Sequence, residues 1–128
     1  MKLKILLVFC CGGAGSALRY ALSGWVQRLG GATFPVGTLA VNLIGCFAIG
    51  LLTPFLSGPF LIREEYRVAV FVGLLGGFTT FSTYAWECMR LAGDGQFARA
   101  CLNLVLSNVL GILAAFIGYR LAQAGFGV

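Results

Sequence analysis

The chain contains no histidine, only four acidic residues, and no charged residue of either sign between Arg28 and Arg63. Without histidine, and with no nucleophile beside a positioned base and no nucleotide-binding loop, nothing points to an enzyme. The nine lysines and arginines are scattered about one per loop, with no cluster and no interleaved aromatics, so the net charge of +5 does not indicate nucleic acid. Contact with lipid headgroups accounts for most of them. Five cysteines are present (Cys10, Cys11, Cys46, Cys88 and Cys101), but no CxxC spacing accompanies them. They read as small apolar packing residues rather than as metal ligands or a redox pair.

What is abundant is apolar surface. Hydrophobic residues make up 59% of the chain and charged residues 10%, and mean hydropathy is +0.95. No soluble core of this length needs so much. Charge-free runs also cover Val68–Trp86 and Ala100–Tyr119, each near the roughly 20 residues that an α-helix needs to cross ~30 Å of hydrocarbon. Lys2 and Lys4 followed by an apolar run imitate a signal peptide. Arg19 and Tyr20 follow without a soluble domain to export, and the start is read as a first helix.

The expected fold is all-α, an integral membrane protein of four helices forming one domain over 1–128, at about 3–28, 35–57, 65–91 and 96–122. The breaks are Gly30-Gly31, then Ser57-Gly58-Pro59 with Arg63-Glu64-Glu65, then Gly93-Asp94-Gly95. With both termini on one side, that side holds Lys2, Lys4, Arg63, Arg67 and Arg120, and the other holds Arg28, Arg90 and Arg99, with Arg19 leaning toward it. The asymmetry that normally sets orientation is almost flat. A chain that inserts both ways and pairs with its inverted self would show such a bias.

Small residues four apart (Gly12/Ser16, Gly73/Gly77, Ser107/Gly111, Ala114/Gly118) let helices approach closely in lipid. Polar residues share faces in the same way: Thr38 with Asn42 and Gly45 beside them, and Asn103 with Ser107, Asn108 being offset. Such groups must be satisfied in hydrocarbon, and two readings stand, interhelical glue or the lining of an anion path. Arg19, well inside helix one, is either a functional cation or a side chain snorkelling to the interface.

The most polar stretch lies in the third apolar segment, "GGFTTFSTYAWE", residues 76–87. Gly76-Gly77 followed by Thr79, Thr80 and Thr83 joins poor helix formers, so helix three is expected to break near its centre. Backbone freed at membrane depth is tolerated only within protein or beside a water-filled cavity, and broken helices are where transport proteins build ion sites. Phe81 and Tyr84, three apart, are either core or a pair of rings whose positive edges can meet a small anion. Glu87 is a proton or cation site, an arginine partner, or an interfacial carboxylate.

Three stretches, "GGAGSALRY" (12–20), "PVGTLAVNLIGCFAIG" (35–50) and "GGFTTFSTYAWE" (76–87), in this order and spacing, resemble the Fluc (CrcB) fluoride channels across essentially the whole chain. The resemblance implies an antiparallel, dual-topology homodimer with two pores in the cell (inner or plasma) membrane, passing fluoride outward by electrodiffusion. It further implies a structural sodium ion on the two-fold axis, held by the backbone carbonyls of Gly76 and Thr79. Asn42 takes the place of the family's pore asparagine, and Phe81 and Tyr84 those of its two pore phenylalanines. Ser82, Thr83 and Thr38 resemble its polar track, Glu87 its acidic residue at the pore end, and Arg19 its vestibule arginine. Tyr84 departs from the family pattern, since phenylalanine is usual there. Ser107 is expected to face the pore without a motif to anchor it. The alternative is a small multidrug-type proton-coupled antiporter using Glu87; such proteins carry their key glutamate in helix one, where this chain has none.

Overall fold

In a computed structural model, which describes residues 1–57 and 62–127, four helical crossings form an antiparallel bundle. Helix α1 spans Lys2–Gly30 and α2 Val36–Ser57. The third crossing begins as α3 (Glu64–Val68), passes through a π-helical stretch at Ala69–Leu75, and ends its first half as α4 (Gly76–Phe78). It resumes as α5 (Phe81–Gly93), and α6 (Phe97–Phe126) completes the bundle. Four of these stretches are long and apolar enough to span a bilayer.

The ends lie close to the positions expected from the breakers. Gly31 has φ 81° and Gly95 φ 74°, a left-handed backbone that glycine adopts without steric cost. α6 runs on to Phe126 instead of stopping near 122, because no proline or polar turn cluster precedes Gly127. The expected Ser57-Gly58-Pro59 turn lies partly outside the described residues. The π-helical stretch has no counterpart in the breaker pattern: it contains no proline, and its one glycine, Gly73, is a packing residue.

α1 packs along α3, the π-helical stretch and α4, and α2 packs along α6. Both contacts are close approaches of backbone. A Cβ on Gly77 would run into the Gly12 carbonyl, and one on Gly50 into the Ala115 carbonyl, so these seams depend on the missing side chains. Gln27 closes the α1–α2 connection: its Nε2 donates to the Phe34 carbonyl (2.9 Å) and its Oε1 accepts from Gly37 N–H (3.1 Å) at the start of α2. Lys4 and Glu64 form a salt bridge of 2.8 Å that ties the start of α1 to the start of α3.

Candidate functional site

Helical geometry stops at Phe78 and restarts at Phe81. Thr79 (φ −91°, ψ 161°) and Thr80 (φ −152°, ψ 113°) are extended. In an unbroken helix the Thr80 N–H would reach the Gly76 carbonyl and the Thr83 N–H the Thr79 carbonyl. Neither does so. Thr80 N–H donates to Asn42 Oδ1 (2.8 Å), and Thr83 N–H donates to Thr80 Oγ1 (3.2 Å). The interruption therefore releases the Gly76 and Thr79 carbonyls from the helical ladder.

Asn42 holds the break from α2. Its Nδ2 donates to the Thr80 carbonyl at 3.0 Å while its Oδ1 takes the Thr80 N–H, so one amide satisfies both backbone groups of an extended residue. Gly45, one turn further along α2, makes room: a Cβ there would strike Thr79 Cγ2. Thr80 is buried and works in three ways. It presents its backbone to Asn42, caps α5, and donates a hydrogen bond from its hydroxyl to Thr83 Oγ1 (3.0 Å), with Ser82 Oγ 3.4 Å away. Residue type alone marks Thr80 as a helix cap, and only the fold adds the Asn42 pairing.

Two cavities flank the break. The larger, of about 390 Å³, is lined by Asn42, Thr79, Phe81, Tyr84, Ser107 and Asn108 among others. The phenyl of Phe81 is 76% exposed and stands edge-on to the Tyr84 ring, at 5.4 Å between centroids and 64° between planes. Tyr84 is only 8% exposed, and its hydroxyl oxygen accepts from Asn108 Nδ2 at 2.9 Å. Ser107 lines this cavity and donates to Asn103 Oδ1 (3.2 Å), which is buried. Asn108, merely offset from its neighbours in the α6 pattern, proves to be a cavity residue.

The smaller cavity, of about 260 Å³, is lined by Ser16, Arg19, Tyr20, Ser23, Thr38, Val41, Thr80 and Thr83. Arg19 Nη1 donates to the Thr79 carbonyl at 3.4 Å. Its head is thus turned toward the break. Thr38 does not stand beside Asn42 in a single row of donors. Its hydroxyl donates to Glu87 Oε1 at 2.5 Å, while Glu87 Oε2 is buried with no hydrogen-bond partner among the described residues. The carboxylate expected near the far edge of helix three is buried against α2.

The residues singled out from sequence therefore fall into two groups joined at Thr80. Asn42, Phe81, Tyr84, Ser107, Gly76 and Thr79 gather around the larger cavity, and Arg19, Thr38 and Thr83 around the smaller. Ser82 is exposed and lines neither, and Glu87 lies behind Thr38.

Fold and site together define a multi-pass membrane protein with two cavities, each carrying hydroxyl or amide groups, at an interruption of its third crossing. The chain belongs to the CrcB family: the family model "CrcB-like protein, Camphor Resistance (CrcB)" matches residues 6–119. A fluoride-specific ion channel FluC of Pelobacter propionicus is 44% identical, over 97% of this chain and 95% of its own length. Others so named, from Nitrosococcus oceani and Geobacter metallireducens, are each 40% identical over 94% of this chain, and over 96% and 98% of their own lengths.

Proposed function

We propose that this chain forms a fluoride-selective channel through which the anion leaves the cell passively, driven by the membrane potential, with no coupled proton. The observation that carries the reading is the cavity at the break. Asn42, Phe81, Tyr84, Ser107 and Asn108 line one cavity beside the interrupted helix, in a chain whose relatives are named as fluoride-specific channels. Amide and hydroxyl donors with aromatic edges replace the tight hydration shell of a small anion in a narrow slot, which larger halides do not fill. The antiporter alternative finds no support among those names, and Glu87 is enclosed against Thr38 and lines neither cavity, a poor position for a carboxylate that must exchange protons with both sides.

The working unit in this reading is a homodimer. Phe81, Ser82, Thr83 and Gly76 are exposed on the single chain. Hydroxyls and a released carbonyl are not left facing lipid, and a second copy of the chain is the cover that completes two pores. The nearly flat lysine and arginine distribution favours an inverted partner, inserted antiparallel in the cell membrane.

The Gly76 and Thr79 carbonyls suit a sodium ion on the two-fold axis. They are hard oxygen donors and have given up their helical N–H partners, although the Arg19 guanidinium already approaches Thr79. The bound ion would neutralise carbonyl dipoles at the point where the two breaks meet.

The test is fluoride efflux from liposomes containing the purified protein, followed with a fluoride electrode after a potassium ionophore is added, beside chloride-loaded liposomes. Rapid ionophore-dependent fluoride loss with chloride retained is expected. No fluoride loss from folded protein would overturn the reading.

A further inference from the structure

The tyrosine at position 84 brings a hydroxyl to the cavity, and the structure specifies how that hydroxyl is oriented. Asn108 Nδ2 lies 2.8 Å from the Leu104 carbonyl, one turn back on α6, and 2.9 Å from Tyr84 Oη. A carbonyl oxygen only accepts, so the amide atom facing it must be the NH₂ group and not the oxygen. The backbone of α6 thus settles which way the Asn108 amide is turned. Both of its protons are used, one on Leu104 and one on the phenol.

The consequence falls on Tyr84. Its oxygen accepts from Asn108, so its own proton points elsewhere. Among the described residues no acceptor receives that proton. The ring is buried and in T-shaped contact with Phe81, and Tyr84 and its partner Asn108 both line the larger cavity. A hydrogen bond received by a hydroxyl also polarises it and strengthens the bond it gives.

We propose that Asn108 is a positioning residue that turns the Tyr84 hydroxyl proton into the larger cavity, so that the phenol acts as an additional hydrogen-bond donor to the permeating fluoride. The inference rests on the channel reading. It assigns the unusual tyrosine a direct contact with the anion and gives Asn108 a role that acts through Tyr84. Phe81, which has no hydroxyl, offers only its ring edge. The two aromatic positions are therefore unequal in this chain.

The experiment is a two-by-two set in liposomes: wild type, Tyr84→Phe, Asn108→Leu and the double variant, each measured over a range of fluoride concentrations so that half-saturation is read apart from maximal flux. One hydrogen bond to an ion sets the scale, and Tyr84→Phe is expected to raise the half-saturating fluoride concentration roughly tenfold. Asn108→Leu is expected to raise it similarly when Tyr84 is present and to add nothing in the Tyr84→Phe background. A purely structural role for Asn108 would lower the amount of active protein and leave half-saturation where it was. Unchanged half-saturation in Tyr84→Phe, or additive effects in the double variant, would overturn the inference while leaving the channel reading intact. Tyr84→Phe removes one oxygen from a ring that stays packed, so should Asn108→Leu not fold it still overturns the inference if half-saturation is unchanged, and Asn108→Ser, which loses the amide with less bulk, takes the place of Asn108→Leu in the set. Wild-type protein that passes no fluoride would overturn the channel reading and this inference with it.

Discussion

The side-chain amide of Asn42 bonds both backbone groups of Thr80, donating to its carbonyl at 3.0 Å and accepting from its N–H at 2.8 Å. A side chain from the second crossing thereby does for the third what a neighbouring helical turn would have done. It makes an extended residue tolerable at membrane depth, where an unpaired backbone group would be costly.

Asn42→Asp keeps the size but loses the donor, leaving the Thr80 carbonyl without its partner and setting a carboxylate beside it. A buried polar group so orphaned costs about 1–3 kcal/mol. The thermal unfolding midpoint in detergent is expected to fall, with fluoride efflux abolished. A midpoint equal to that of wild type would show that the break does not lean on this amide.

Thr38→Val removes the hydroxyl that donates to Glu87 Oε1. With Oε2 already unpartnered, the carboxylate is left without a described donor, and a loss of about 1–3 kcal/mol in folding free energy is expected. Thr38→Ser, which keeps the hydroxyl, should recover most of it in the same unfolding assay.

Gly77→Ala and Gly50→Ala each place a methyl against a backbone carbonyl, of Gly12 and Ala115 respectively. Backbone yields less readily than a side-chain end, and each substitution is expected to cost about 1–3 kcal/mol. Gly24→Ala, at a position with nothing nearby, serves as the control and should unfold like wild type or slightly later. Size-exclusion profiles and unfolding midpoints of the three proteins check this.

Lys4→Met breaks the ion pair with Glu64, yet Glu64 is well exposed there, and solvent and salt screen an exposed pair so that it contributes little. Stability and fluoride efflux should both change little, and the small difference should vanish at high salt. A large loss would mean that this contact anchors α3 more firmly than an ordinary surface pair.

The four crossings could be read from the chain because hydrophobic run length and turn residues are local properties, and the described boundaries fall within a few residues of those expected. The place of the interruption was legible for the same reason, since glycine and threonine weaken a helix wherever they stand. The grouping of the site was less legible. Asn42, Tyr84 and Ser107 stand out individually, but the separation of Thr38 from Asn42 into different hydrogen-bond sets depends on which groups of the third crossing face them. Asn108 was passed over because it breaks the spacing of its neighbours. Its importance arises from a phenol 24 residues away in sequence.

By itself the sequence determined that this chain has four segments long and apolar enough to cross a membrane, that the third holds its most polar stretch, and which residue types are available there. These follow from transfer free energy and backbone propensity, which each segment carries alone. The tertiary structure decided which carbonyls the break releases, that one amide from α2 satisfies Thr80, that Glu87 is closed off by Thr38, and that Tyr84 accepts from Asn108. Hydrogen bonds are short and directional, so a chain full of donors and acceptors does not specify their pairing until packing brings particular atoms within about 3 Å.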